Sequence, residues 1–326
     1  MGHATADASI SARLRSSKTT FVSYADGYNV LRRLGLPCID LGLPADNAYL
    51  DTMLAAFNVL TKHRPAVVIA REEFSVLPIA SALNIPSIFV SDWLPPSNHI
   101  GSESLKYSNR CFIFENEGIF PTPKFMRCAP EYFGPIRAPV KAHVDRQKMR
   151  KRLRISENCK MILVVPGGWF DEQRAPISDL LFSAFRSLKI KDKIMIWISR
   201  SDYLLFGSKV GSHSGVRFLG YVPNIYDYIG ASDVIITKGT RGTTMDSASL
   251  GIPSIALSFG QNPVDELVIP RIRTNTHLYA KCISSDGLAM TIARVLGEPK
   301  PAPIIWQDDA QAAVAIDNAV KQLTSG

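Results

Sequence analysis

A doubly wound α/β protein of two domains is predicted, on three observations. Short β-branched apolar runs alternate with longer helical patterns along the whole sequence. Runs such as MILVVP (161–166) and DVIIT (233–237) are apolar on consecutive residues, as strands buried on both faces of a parallel sheet require. And 326 residues exceed what one hydrophobic core organises, so two domains of roughly 150 residues each are expected.

In the first half Thr20–Tyr24, Pro37–Leu41, Ala66–Ala70, Ser87–Val90 and Cys111–Phe114 read as strands, with helices over about 5–17, 47–63 and 73–83. The second half repeats the scheme. Its strands fall at 161–166, 193–198, 216–219, 233–237 and 253–257, its helices near 173–187, 224–231, 243–250 and 284–296. The stretch EYFGPIRAPV (131–140), rich in Pro and Gly and followed by a basic helical segment, marks the joint. The expected domains are therefore 1–142 and 143–326. Beyond the Pro-rich connector EPKPAPII, residues 308–323 read as a last helix that is free to pack back on the N-terminal domain.

Composition narrows the class. With 46% hydrophobic and 20% charged residues the chain is neither disordered nor fibrous. No apolar run reaches the roughly 18–20 residues of a spanning helix. The opening MGHATADASISARLRSS has no apolar core, so a secretory signal is not expected and a cytoplasmic location is. Five scattered cysteines (38, 111, 128, 159, 282) without a CxxC pair argue against a disulfide framework or a zinc ribbon. His99, His213 and His277 show no ligand spacing, so no metal and no cofactor is expected. A net charge of +8 fits an anionic partner without choosing one.

The most informative segment is VRFLGYVPNIYDYIGASDVIITKGTRGTTMDSASLGIPSIAL (216–257). A strand ending at Thr237 runs into Lys238, Gly239, Thr240, Arg241 and Gly242, and a helix starts at about Thr243 or Thr244. Small residues let a backbone approach an anion, and the first N–H groups of a helix are unpaired and point outward. The helix dipole adds about 0.3–1 kcal/mol for an anion there. Lys238 and Arg241 supply charge, and Asp246 a carboxylate for sugar hydroxyls. By spacing alone an ordinary strand–turn–helix with threonine capping stays equally open, since the string is neither a Walker loop nor GxGxxG. Gly167 and Gly168, after MILVVP, are a second candidate turn at a strand's carboxyl end, or a structural one.

The segment GYVPNIYDYIGASDVIITKGTRGTTMDSASLGIP resembles the donor-binding region of GT-B glycosyltransferases. The similar group holds the lipid II-forming N-acetylglucosaminyltransferase, the plant galactolipid synthases and the UDP-glycosyltransferases of natural products. HRPAVVIAREEFSVLPIASALNIPSIFVSDW (63–93) resembles that family's acceptor-domain pattern, and GHATADASISARL (2–14) its Gly-His start. The resemblance implies the GT-B fold, two Rossmann-like doubly wound parallel-sheet domains facing a central cleft. It implies a sugar transferred from a nucleotide-diphosphate donor, UDP-linked by expectation, to an acceptor hydroxyl on a lipid, saccharide or small aglycone, inverting and metal-independent. It places Asp246 where the family's Glu holds the ribose, and Gly242, Thr243 and Thr244 against the diphosphate. Tyr221 and Val222 would present backbone to the base, and Gly167 and Gly168 would border the pyrophosphate. His3 becomes the expected base. Three departures stand out: Asp246 is one methylene shorter than Glu, Ala6 replaces an Arg, and the acidic–Gln pair that grips the donor sugar has only Asn262, Asp265 and Glu266 as counterparts. In that family a central strand precedes the Gly-His turn. A start downstream of the native one, or another segment in that strand's place, is therefore expected.

Remaining signals are weaker. Arg146–Arg154 carries six basic residues, read as a solvated helix face or as a patch for an anionic membrane at the inner face. No aromatic-interleaved basic stripe suggests nucleic acid. Glu72, Glu73 and Asp92 follow apolar strands and are acceptor-side candidates or plain helix-start acids. The rival readings are a UDP-N-acetylglucosamine 2-epimerase-like isomerase and a non-catalytic or partner-dependent transferase subunit.

Overall fold

The computed structural model describes residues 2–15, 18–44, 47–137, 144–166, 171–199, 215–220, 222, 224–239, 241–258 and 266–325, apart from the side chains of 2, 3, 5 and 171–175. The chain divides into two compact units, Met1–Ala138 with Trp306–Gly326, and Pro139–Ile305.

The first unit opens with α1 (Gly2–Ser11), then β1 (Phe21–Ser23), α2 (Ala25–Arg33) and β2 (Cys38–Asp40). α3 (Tyr49–His63) leads to β3 (Val68–Arg71), and α4 (Val76–Ala82) to β4 (Ser87–Ser91). β5 (Arg110–Ile113) and the two-residue β6 (Glu131–Tyr132) complete it. All pairings are parallel, but they form two sheets, β1-β2 and β3-β4-β5-β6. β4 is buried at every residue, which accounts for its unbroken apolar run.

The second unit begins with α5 (Arg146–Arg152), β7 (Lys160–Val165), α6 (Asp171–Ser187), β8 (Lys193–Ile198) and β9 (Val216–Leu219). It continues through α7 (Ile225–Ala231), β10 (Val234–Thr237), α8 (Arg241–Ser249), β11 (Ser254–Ser258), β12 (Asn275–Tyr279) and α9 (Ser285–Gly297). The six strands form one parallel sheet in the order β12-β11-β10-β7-β8-β9, which reverses direction between β7 and β10. Alternate residues feed opposite faces. Ile162, Val164, Met195 and Trp197 join one core with α6 and α9, while Met161, Leu163, Ile194 and Ile196 join the other with α5 and α7. The tail helix α10 (Ala310–Thr324) belongs to the first unit, where Ala312, Ala313, Ile316, Ala319 and Val320 pack on Ile88, Val90, Phe112 and Phe114. Its buried positions recur at one helical face, and their small side chains bring the helix close to the sheet.

Three expectations change. α2 covers a stretch to which the sequence reading assigned no element; at Gly27 an added Cβ would meet Ser23 Oγ at 2.5 Å, so the hydroxyl would have to move. β12, whose sequence NTHLY is half polar, is a strand at the sheet edge, where one side of the pairing is solvated. The third concerns the basic run. Arg150 is fully buried, and its guanidinium donates to the carbonyls of Ala231 and Ser156 at 2.8 Å each and pairs with Asp233 at 3.4 Å. Arg146 holds Asp233 at 2.7 Å and the carbonyls of Ala231 and Ser232 at 2.8 Å each. Two of the six cations therefore staple the fold. Lys148, Lys151, Arg152 and Arg154 are exposed.

Asp233 also accepts the Met161 N–H at 2.8 Å, which ties the start of β10 to the start of β7. Burial alone would raise its pKa, but that N–H and the two guanidinium groups outweigh burial and hold it below the usual carboxylate range. A depressed carboxyl stabilises the fold fully above its unfolded pKa of about 3.9, and this stabilisation is lost as pH falls through the folded value. Asp233→Ala is expected to cost about 3–5 kcal/mol in urea unfolding at pH 7, because it leaves the buried Arg150 with only the exposed, more distant Glu157 as counter-charge. The same variant flattens the acid limb of stability below about pH 4, measured by thermal melts from pH 7 to 3.

Candidate functional site

In an open α/β sheet a ligand binds beyond the carboxyl ends of the strands, where the winding reverses. In the second unit that point lies between β7 and β10. β10 ends at Thr237, and Lys238 and Gly239 turn the chain into α8, which starts at Arg241. Gly239 has φ +90, a conformation that disfavours any side chain, and a Cβ there would also press on Ala256 at 3.3 Å. In the first turn of α8, Gly242 and Thr243 are half-buried, whereas Arg241 and Thr244 are buried. The Ser247 hydroxyl donates to the Thr244 carbonyl at 2.8 Å, so the small polar residues of α8 satisfy one another inside the helix. Lys238 is half-buried beside the same turn.

Asp246 sits in the second turn of α8, 4% exposed. Val222 packs on the core beneath β8 and β10, and Asn224 caps α7 by accepting the Tyr226 N–H. Glu266 is exposed and accepts the Tyr279 hydroxyl at 2.8 Å; this bond raises the Tyr279 pKa. Gly167, Gly168, Tyr221, Thr240, Asn262 and Asp265 lie outside the described residues.

One group at this point escapes sequence reasoning. Thr237 is completely buried, and its hydroxyl finds no hydrogen-bond partner among the described residues. A lone threonine at the end of an apolar strand reads as β-former only; its chemistry shows when the neighbours are known. Close by, the Ser258 hydroxyl at the end of β11 pairs with His277 Nε2 at 2.7 Å, and burial lowers the His277 pKa.

In the first unit the acceptor-side carboxylates are brought together at the ends of β3 and β4, and each is engaged. Glu72, with φ 55, accepts the Asp92 N–H at 2.8 Å and the Ser91 hydroxyl at 3.0 Å. Glu73 accepts the Ser75 hydroxyl at 2.5 Å and the Tyr24 hydroxyl at 3.5 Å. Asp92 takes Arg71 at 2.7 Å, and Asp7 of α1 approaches the same guanidinium at 3.5 Å. Burial would lower the Arg71 pKa, but Asp92, Asp7 and Glu72 outweigh it and raise it. This arrangement makes the trio a scaffold first. A wall of Phe74, Trp93 and His99 stands beyond it, with Trp93 and His99 edge-to-face at 5.3 Å. His3 has its backbone in the first turn of α1, and its side chain lies outside the described residues. Among the described residues no three His, Cys, Asp or Glu side chains gather to hold a metal, and no helix is long and apolar enough to cross a membrane.

No protein-family model matches the chain. Two curated relatives are each 24% identical. One is the UDP-N-acetylglucosamine–N-acetylmuramyl-(pentapeptide) pyrophosphoryl-undecaprenol N-acetylglucosamine transferase of Halalkalibacterium halodurans, over 61% of this chain and 55% of that protein. The other is an uncharacterized glycosyltransferase of Methanopyrus kandleri, over 66% and 62%. The chain thus spans little more than half the length of these relatives. Solved structures match nearly end to end. The UDP-GlcNAc 2-epimerase of Neisseria meningitidis bound to UDP-GlcNAc has a TM-score of 0.70 at 13% identity, over 98% of this chain and 97% of that one. MurG of Acinetobacter baumannii gives 0.65 at 10%, over 98% and 96%. Spinosyn rhamnosyltransferase SpnG with thymidine diphosphate gives 0.64 at 13%, over 99% and 95%. By fold, then, this chain is a GT-B protein, built from the two Rossmann-like units that these glycosyltransferases and epimerases share.

Proposed function

We propose that the protein is a glycosyltransferase that moves a sugar from a nucleoside-diphosphate donor, UDP-linked, to an acceptor hydroxyl. The observation that carries the reading is the turn at the end of β10. A left-handed glycine, a lysine, a buried arginine and the open first turn of a nine-residue helix converge where the sheet's winding reverses. This chemistry suits a diphosphate, since helix N–H groups and cations both favour it. The transferases among the sequence relatives favour transfer over isomerisation.

In this reading Gly242, Thr243 and Lys238 meet the diphosphate, with the Thr237 hydroxyl behind them, and Asp246 meets the ribose. Val222 presents backbone to the base, and Glu266 with Tyr279 borders the donor sugar. The acceptor belongs to the N-terminal unit, near Asp92 and the Trp93–His99 wall. The acceptor oxygen attacks the anomeric carbon as the bond from that carbon to the phosphate oxygen breaks, which inverts the centre. The bonding electrons leave with the nucleoside diphosphate, and the acceptor proton passes to a base, His3 by resemblance. The first turn of α8 steadies the charge that grows on the leaving phosphate. A cytoplasmic location belongs to the same proposal, with Lys148, Lys151, Arg152 and Arg154 as the cations available to an anionic surface.

The test is a thermal-shift panel of UDP, dTDP, GDP and their sugars, followed by calorimetry. UDP and a UDP-sugar should raise the melting temperature, and a panel without any shift sinks the donor site. Incubation with UDP-N-acetylglucosamine alone should leave the sugar unepimerised; accumulation of the 2-epimer overturns transfer. Lys238→Ala is expected to weaken UDP binding by about ten- to a hundredfold, the worth of one charge-assisted hydrogen bond. Asp246→Ala should raise the donor KM without changing the melting temperature of the free protein by more than a few degrees; unchanged donor affinity removes the ribose assignment. Gly239→Ala is expected to lose about 1–3 kcal/mol of stability by forcing a side chain into φ > 0.

A further inference from the structure

In the first unit one carboxylate stands apart from its neighbours. Asp7 and Asp92 hold Arg71, and Glu72 is engaged by the Asp92 N–H and the Ser91 hydroxyl. Glu73, half-buried just past the end of β3, forms no ion pair among the described residues. Its Oε1 accepts the Ser75 hydroxyl at 2.5 Å and the Ser75 N–H at 3.3 Å. Its Oε2 has the Tyr24 hydroxyl at 3.5 Å and, among the described residues, no nearer donor. A full O–H···O bond runs at about 2.5–3.0 Å, so this oxygen keeps most of its accepting capacity open. A carboxylate withdrawn from water calls for a counter-charge or strong donors, and Oε2 has neither.

Phenols and rings surround it. Tyr24 and Tyr49 are half-buried, and burial, with the Glu73 charge after it, raises the pKa of both. The Tyr49 hydroxyl shares a 2.8 Å hydrogen bond with Ser104, in the loop that also carries His99. Phe74, the residue after Glu73, is buried and backs the wall, with Trp93 at 6.2 Å and His99 at 5.3 Å between ring centroids. At Gly101 a Cβ would lie 2.4 Å from the Phe74 ring, so a glycine lets this loop close on it. The Gly101 N–H donates to His99 Nδ1 at 3.0 Å, which leaves the ring proton on Nε2, and burial lowers the His99 pKa. The wall is therefore uncharged at neutral pH. Across the whole cluster one guanidinium faces four carboxylates.

We infer that the first unit binds a hydroxyl compound carrying a protonated amine, of the amino-sugar or aminocyclitol class, with its ammonium at Glu73 Oε2 and its ring against Trp93 and His99. An ammonium brings three N–H donors, which a carboxylate oxygen and phenol oxygens accept. It also supplies the positive charge that the cluster lacks. A sugar or cyclitol ring suits the wall, since one apolar face covers an aromatic surface while its rim hydroxyls reach polar groups. A phosphate-bearing compound is repelled by the same carboxylates. A divalent metal ion needs several oxygen ligands at once, and among the described residues no three His, Cys, Asp or Glu side chains gather to hold one. The ammonium has no lone pair, so a hydroxyl remains the nucleophile. That this compound is the acceptor rests on the proposed transfer; that it binds rests on the first unit alone.

The experiment titrates the protein with glucosamine, N-acetylglucosamine and glucose 6-phosphate by calorimetry, at a pH where the amine is protonated. Glucosamine is expected to bind about tenfold or more tighter than N-acetylglucosamine, which keeps the ring and loses the charge, and glucose 6-phosphate should bind most weakly. Glu73→Gln removes the charge while its amide oxygen still accepts from Ser75. It should bring glucosamine to the level of N-acetylglucosamine, with the melting temperature within a few degrees of the parent. Trp93→Leu should weaken both uncharged and charged sugars alike, because it removes the wall and leaves the carboxylate. UDP is titrated in parallel, so the two readings fail separately. A preference for the amine without UDP binding keeps this site and removes transfer, whereas UDP binding without that preference removes the site and keeps transfer. No binding of glucosamine, equal affinity for its acetylated form, tightest binding of the phosphate, or a preference that survives Glu73→Gln each overturns the amine site.

Discussion

The second unit depends on one carboxylate. Asp233 sits at the amino ends of β7 and β10, the two strands between which the winding of the sheet reverses. It bonds the Met161 N–H and takes Arg146 and Arg150, which in turn hold the carbonyls that end α7. A fully buried guanidinium is costly unless nearly every donor is met, and here backbone carbonyls, Asp233 and Glu157 share the work. The amino ends of β7 and β10 are fixed in this way, at the opposite end of β10 from the proposed donor turn.

α8 is poor in helix formers, with Gly242, Thr243, Thr244, Ser247 and Ser249 in nine residues, so it owes its stability to its surroundings. Met245 and Ala248 bury one side, and the serines bond back into the helix. What this composition offers is a slim first turn whose N–H groups a ligand can reach. The Thr237 hydroxyl, which finds no partner among the described residues, belongs to the same logic: a buried polar group left unpaired costs about 1–3 kcal/mol.

Legibility in the sequence tracked burial. Strands buried on both faces, such as β4, β7 and β10, announce themselves as apolar runs, and the expected spans fit to within a residue or two. β12 and the two-residue β6 lie at sheet edges, where half-polar sequences carry little signal. The strand–turn–helix around Gly239 was readable from the apolar run before it and the small residues after it, a pattern that fits structural capping as well as a ligand. The fate of Arg146 and Arg150 was not, since a basic run looks the same whether it faces water or a half-buried acid 87 and 83 residues away. Glu72, Glu73 and Asp92 were placed correctly at strand ends, but their engagement with Ser91, Ser75 and Arg71 depends on the pairing of β3 with β4, which no local pattern encodes.

Charge distinguishes the two strand-end clusters independently of fold likeness, in the sense the proposed donor site requires. At the end of β10 the ionisable groups of the turn are Lys238 and Arg241, both cationic. At the ends of β3 and β4 the groups are Arg71 against Asp7, Glu72, Glu73 and Asp92, one positive charge and four negative, a sum of −3 with all ionised. Like charges a few ångströms apart repel by about 1–4 kcal/mol even when partly solvated. On the proposed reading, this charge disfavours a pyrophosphate at the first cluster and favours it at the second, while a neutral acceptor hydroxyl meets no such penalty among carboxylates. The overall +8 does not decide this partition. The local contrast comes from where four acids and three bases stand at the ends of particular strands.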